Sequence, residues 1–464
     1  MKKLYTFLIV LFTFMFAQAQ NDIKARIEFE EAEKAFTEEN YETALKHLNQ
    51  TEKELGRWTP NVSYLKIESL YAVTDMGYFG ASTMQPLYEE VAKYMAYLNK
   101  LKSDDVPIDK YKVVYGIEKT LKALKLDERQ STEFLKAKTA HDAKNYDLAI
   151  PLWEKLAQKG NSWAMRNLGL IYEILQDYVK AKEWYLKAIE NSNGDAAEDL
   201  AKIDKENARK YYEKATQLGH PIGLFWEGVY AELYDENQTK AMNCYQQAAD
   251  LGCAIAFYKI GEKYYDAKDY TKAFPYLKKA AAKGNSGAIY NLGILYYYGA
   301  GVEKNTSLGM EYWIKAASFG NESSMYAIGR VYAKGEGDYA KDYKKAEEWY
   351  LKAAAINSNY FSVIGDLYSL SDNNQPQKAL EYYEKAAEGG YKKSMLETAY
   401  LYFSGKGGIT KDYTKAIKYY QEYYNSEKKN ESYIDNLIEM YNRGGHGIEK
   451  DKEKAKYWKD MRRK

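Results

Sequence analysis

The stretch Asn291-Leu292-Gly293-Ile294-Leu295-Tyr296, the loop Gly299-Ala300-Gly301-Val302, and Tyr312-Trp313-Ile314-Lys315-Ala316-Ala317 running on to Gly320 decide how this chain is read. Apolar residues at helical spacing on both sides of a glycine loop describe two helices. Asn305 stands before the second of them, where an Asx side chain accepts a bond from an unpaired first-turn amide. Gly320 closes that helix at a position that favours a left-handed residue. Gly293 lies inside the other helix, where glycine costs about 1 kcal/mol relative to alanine, so a close helix contact is the simplest reason for it.

Working outward, the same unit recurs. Helix starts fall at Asn145, Asp177, Asp204, Asn237, Asp269, Asn305, Asp342, Gln375, Asp412 and Asp451; four residues later stand Ala149, Ala181, Ala208, Ala241, Ala273, Gly309, Ala346, Ala379, Ala416 and Ala455. Aromatic pairs follow, as in Trp184-Tyr185, Trp349-Tyr350 and Tyr382-Tyr383, and stop glycines at Gly160, Gly219, Gly252, Gly284, Gly320 and Gly390. Nine residues beyond a stop, the second helix carries Gly169, Gly228, Gly261, Gly293 or Gly329. The short spacing from Asp177 to Asp204 predicts a shortened helix there, and Asn357 and Glu427 replace the stop glycine.

This pattern resembles the Sel-one-like repeat, a relative of the tetratricopeptide repeat, over residues 131–464. The resemblance implies an all-α protein, an α/α solenoid in which antiparallel helix pairs stack as a right-handed superhelix. Its members generally mediate protein interactions, because a curved array presents an extended groove. Asn40-Tyr41-Glu42-Thr43-Ala44-Leu45 resembles one further tetratricopeptide unit, about Ile23 to Leu55. Residues 20–130 are accordingly read as an N-terminal helical domain leading into the array.

Composition agrees. Only 7 prolines occur in 464 residues, and 46% apolar with 29% charged residues is too apolar for a disordered chain. Lys plus Arg number 67 and Asp plus Glu 66, so no basic field exists to attract nucleic acid. Residues 1–19 have the form of a cleaved secretory signal: Lys2 and Lys3, the apolar run Leu4 to Phe16, then Ala17-Gln18-Ala19. The apolar run is short of the roughly 20 residues needed to cross a bilayer. The expected address is the periplasm or cell envelope, or the extracellular space, with no membrane span in the mature chain. Cys244 and Cys253 are read as two free, largely buried thiols, with a disulfide as the alternative.

His47, His141, His220 and His446 are scattered, and no HExxH, paired CxxC or GxSxG occurs. Gly335-Glu336-Gly337-Asp338-Tyr339-Ala340 matches a dinucleotide fingerprint but occupies the repeat's loop position with no strand before it. Ser63-Tyr64-Leu65-Lys66 and Ser426-Glu427-Lys428-Lys429 match SxxK without the companion KTG or SDN. No catalytic, metal or cofactor residues are assigned, and the chain is read as a non-enzyme. Most of the 49 tyrosines fall in the repeat's packing slots. Tyr297, Tyr298, Tyr423 and Tyr424 lie outside the slots and are the candidate partner-binding residues, since tyrosine is favoured at recognition surfaces. The function expected is an exported scaffold or adaptor that binds protein or peptide segments. The alternative is a cell-wall or peptidoglycan binder, or an enzyme-like protein of the same repeat family; wall-linked members tend to be cysteine-rich, which two cysteines do not supply.

Overall fold

The computed structural model describes residues 21–76, 82–129, 131–427 and 433–462; the signal-like segment 1–19 lies outside them. Helices account for nearly all regular structure, and the one β-contact among the described residues is an isolated bridge between Gly445 and Ile448. The chain divides into two units, one up to Ala288 and the other from Ile289.

Unit 1 begins with the helices α1 (residues 21–37), α2 (Tyr41–Leu55), α3 (Pro60–Val73), α4 (Met84–Leu98) and α5 (Ile108–Ala123). The repeats follow as α6 (Thr132–Asp142), α7 (Tyr146–Gln158), α8 (Ser162–Ile174), α9 (Tyr178–Glu190), α10 (Gly194–Ile203), α11 (Ala208–Gln217), α12 (Pro221–Leu233), α13 (Gln238–Asp250), α14 (Ala254–Asp266) and α15 (Tyr270–Ala282). Unit 2 opens within α16 (Ser286–Tyr298). It continues through α17 (Thr306–Ser318), α18 (Glu322–Lys334), α19 (Tyr343–Ala354), α20 (Tyr360–Ser369), α21 (Pro376–Glu388), α22 (Lys392–Ser404), α23 (Tyr413–Glu427), α24 (Tyr433–Arg443) and α25 (Lys452–Met461).

The repeat signature has a direct physical basis. Asn145, Asp177, Asn237, Asp269, Asn305, Asp342, Asp412 and Asp451 each accept a bond from the amide three residues on, which satisfies one open donor of the first turn. Asp204 departs from this. A 3-10 turn over Lys205–Asn207 intervenes, Asp204 binds Tyr211 instead, and α10 and α11 shrink to 10 residues each. The alanines four residues after the starts, such as Ala149, Ala181, Ala241 and Ala346, are fully buried. The second ring of several aromatic pairs is buried over a glycine of the partner helix. A Cβ added to Gly169, Gly329 or Gly365 would lie 2.5 Å from the ring of Tyr185, Tyr350 or Tyr383, which is why the helix tolerates a residue of low propensity there. The stop glycines adopt φ from +76° at Gly219 to +88° at Gly252 and Gly390, the left-handed region that terminates a helix.

Within unit 1 the turns after α3 and after α5 fold back onto the repeats. The Met76 amide donates to the Gly252 carbonyl at 3.2 Å, and Asp75 accepts from the Ala254 amide at 2.8 Å. Further along the same line of turns, Lys125 donates to the Asn191 carbonyl at 2.8 Å, and Glu128 accepts from the amide and hydroxyl of Ser162, both at 2.7 Å. The turns that join each Asx-capped helix to the next glycine-bearing helix are thus covered by the protein's own N-terminal helices.

Candidate functional site

Two features of unit 1 follow from that cover. Lys283 sits at the end of α15 and donates to the carbonyls of Tyr71 at 2.7 Å and Thr74 at 2.8 Å, so its ammonium caps the C-terminus of α3. Burial, with Lys279 adding repulsion, holds its pKa down at about 8, against the opposing pull of Asp75 and Cys253. Both cysteines are buried free thiols, and Cys253 is completely enclosed; its pKa is raised by burial and by Asp75. Beside this seam lies a cavity of about 600 Å³ whose walls include Tyr41, Tyr71, Phe257 and Tyr276. Its lysines are largely engaged: Lys278 pairs with Glu39 at 2.8 Å, and Lys279 stands 5.5 Å over the Phe257 ring.

Unit 2 carries a second candidate surface. Its glycine-bearing helices α16 and α18 lie side by side, and the Arg330 guanidinium on α18 donates to the Tyr298 hydroxyl on α16. Arg330 also pairs with Glu336 at 3.3 Å, and Lys334 reaches Glu336 at 3.5 Å. Burial works against the Arg330 charge, but the Tyr298 hydroxyl and Glu336 outweigh it and leave its pKa above the ordinary value. Tyr326 lies one turn before Arg330 on α18, with ring contacts of 5.7 Å to Tyr350 and 5.8 Å to Tyr360. A rigid arginine flanked by tyrosines, with Tyr298 50% exposed, is the composition that anchors protein interfaces.

The four tyrosines selected from sequence are therefore not equivalent. Tyr297 is 3% exposed and packs 4.8 Å from Trp313, and Tyr423 is 7% exposed with its ring edge-on to Tyr433 at 5.1 Å. Both fill the layer between helices instead of facing a partner, because their positions on α16 and α23 turn inward. Tyr424 is half-buried, edge-on to Trp458 at 5.2 Å. Tyr298 alone of the four is an exposed ring set beside a charged partner. Arg330 was missed because a single arginine inside a repeat carries no sequence signature. Among the described residues, no group of three or more His, Cys, Asp or Glu side chains could hold a metal ion, and no helix is long and apolar enough to cross a membrane.

Comparison with known proteins places these features in a family. The Sel1 repeat matches residues 194–220, 225–253, 256–285, 286–321, 322–358, 367–391, 392–422 and 439–458, together just over half of the chain. The chain belongs to the Sel1-repeat proteins. A tetratricopeptide repeat matches residues 134–196, the start of the array. Among curated proteins, this Sel1-repeat chain is 29% identical over 163 residues to the ERAD-associated E3 ubiquitin-protein ligase component HRD3B of Arabidopsis thaliana, covering 34% of this chain and 25% of that one. It is 53% identical over 47 residues to the putative beta-lactamase HcpC of Helicobacter pylori, covering 10% of this chain and 16% of that one. It thus spans a quarter or less of the length of these relatives. A solved protective antigen of uropathogenic Escherichia coli with an SLR fold aligns over 90% of this chain and 86% of its own, at 20% identity and a TM-score of 0.43.

Proposed function

We propose that this Sel1-repeat protein is a non-catalytic scaffold that binds protein or peptide segments, exported to the periplasm or cell envelope. The observation that carries the binding role is the Tyr298–Arg330 pair with Tyr326 on the glycine-bearing helices of unit 2. Arginine and tyrosine bring large, rigid contact area and directional donors at little entropic cost, and they dominate the energetics of protein interfaces. Export is supported by the signal-like residues 1–19.

The test is capture from an envelope extract of the producing cell by the mature chain, run beside the double variant Tyr298→Ala, Arg330→Ala. A partner recovered by the first and lost with the second is the expected result. Equal recovery by both, or nothing above bare resin, overturns the reading. Fractionation of cells for the processed chain checks its address independently.

A further inference from the structure

The same line of turns exists in unit 2 and, among the described residues, lacks the cover it has in unit 1. In unit 1 a Cβ on Gly252 would meet Met76 at 2.7 Å and one on Gly219 would meet Ala123 at 3.6 Å, with open space at Gly160 and Gly284; in unit 2 a Cβ on Gly320 or Gly390 would meet nothing within 4 Å. The residues just before the stops are Phe319 and Ile356, 55% and 54% exposed, while their unit 1 counterparts Leu218 and Leu251 are half-buried. The unit 2 turns are contiguous: Asn357 donates to Glu322 at 3.4 Å, and a Cβ on Gly389 would touch the Ser358 hydroxyl at 2.5 Å. Phe319 and Ile356 are thus apolar side chains open to solvent on neighbouring turns.

The N-caps along these turns show what the cover does. Asn161, Asn193, His220, Asn285 and Asn321 each accept an amide of the helix that follows. At α20, Asn357 accepts instead from the Asn359 amide just before the helix, whose own cap residue Asn359 makes no side-chain bond. Two further positions depart from this. At α14 the cap residue is Cys253, which makes no side-chain cap bond, and Asp75 supplies the carboxylate from 179 residues away. At α22 the cap residue is Tyr391, again without a side-chain bond. The Ser394 amide falls back on the Tyr391 carbonyl at 3.1 Å, and the Ser394 hydroxyl is fully buried with no hydrogen-bond partner. In α18 the equivalent Ser324 gives both its amide and its hydroxyl to Asn321, at 2.8 and 2.9 Å. The α22 N-terminus therefore lacks the acceptor that α14 receives in trans. Lys392 and Lys393 begin α22, with Lys393 paired to Asp366 at 3.3 Å. Positive charge beside an uncapped helix N-terminus favours a carboxylate.

We infer that the turn edge of unit 2, from Phe319 through Ile356 to Tyr391, docks a partner-protein segment that ends a helix in an aspartate or glutamate. This is the chemistry by which α3 and Asp75 of the chain itself cover the turn edge of unit 1. The apolar part of the segment lies over Phe319 and Ile356, and its carboxylate caps α22. The proposal deepens the scaffold reading by naming the chemistry of a partner, and it uses a surface separate from Tyr298 and Arg330.

The probe is a fluorescent peptide copying residues 60–76, which ends in Asp75-Met76, added to the full mature chain and followed by anisotropy. The unit 1 edge stays occupied by the chain's own copy, which is tethered at high effective concentration. Saturable binding is expected, weakened about tenfold by Ile356→Glu in the protein and about fivefold by Asp75→Asn in the peptide. The variant Tyr391→Asn gives α22 its own cap, so with it the two peptides should bind alike. No saturable binding, or binding unchanged by Ile356→Glu, overturns the proposal. So does a discrimination between the peptides that survives Tyr391→Asn. Ile356 and Tyr391 are at the surface, and an unchanged helical melting curve for both variants confirms that they fold. Failure here with partner capture still dependent on Tyr298 and Arg330 removes the edge site and leaves the scaffold reading standing.

Discussion

In unit 1 the turns bearing Gly252 and Lys283 lie beneath residues 71–76; in unit 2 the matching turns at Phe319 and Ile356 face solvent. The repeats beneath are built alike in both units, with a ring seated on a glycine and an Asx cap at most helix starts. The difference teaches that repeat packing and edge covering are separable. The first is written into every unit, and the second depends on what else the chain or a partner brings. Stacked repeats satisfy their neighbours but leave their edges open, so an edge without a cover is available for binding.

Substitutions can break this comparison at several strengths. The largest effect should be shared by both units: Gly169→Leu and Gly329→Leu each drive a side chain into a tyrosine ring and should cost about 3 kcal/mol, read by denaturant melts. A clear inequality between them would show that the packing is not equivalent. Next comes a contrast at the stops. Gly320→Ala meets open space and should cost about 1 kcal/mol for its left-handed backbone, whereas Gly252→Ala also meets Met76 and should cost about 2 kcal/mol more. Equal losses would mean that the cover over Gly252 is loose.

Below the Gly252→Ala loss, Asp75→Ala removes the cap on α14 and the countercharge of Lys283, a loss of about 1–2 kcal/mol. In a Cys244→Ser background it should also speed alkylation of Cys253 several-fold, since that thiol is enclosed where the N-terminal segment meets α14. Unchanged alkylation would separate the cover from the thiol. The last effect concerns pH. Because the folded pKa of Lys283 is depressed to about 8, the unfolded chain binds more protons above that pH. Stability contributed at this site should therefore rise as pH increases from about 8 towards 10, relative to Lys283→Met measured at the same pH. The comparison with the variant is needed because Tyr71 beside it, raised by burial, titrates higher still.

Much of the architecture was legible because its cause is local and repeated. An Asx side chain capping its own helix, an alanine four residues on, and a glycine with positive φ are decided within a few residues, so their recurrence reveals the helix pairs. The face of each extra tyrosine was not legible: Tyr297 and Tyr298 are neighbours, yet one is buried against Trp313 and the other exposed beside Arg330. A helix turns by 100° per residue, and only the neighbouring helices settle which side is inside. Cys253, standing where other units have a polar cap, was the visible signal of a cap supplied in trans, but a missing cap does not say what replaces it, as the uncapped Tyr391 position shows.

By itself, then, the sequence determined the helix pairs, their period, their packing glycines and the family, because those depend on contacts within one repeat or between adjacent ones. Only the tertiary structure decided that Asp75 and Glu128 cap helices α14 and α8, that Lys283 closes α3, and that the unit 2 edge is bare. Those contacts join residues as many as 212 apart, such as Lys283 and Tyr71. Each joins a single pair of positions, and a contact made once leaves no period to detect.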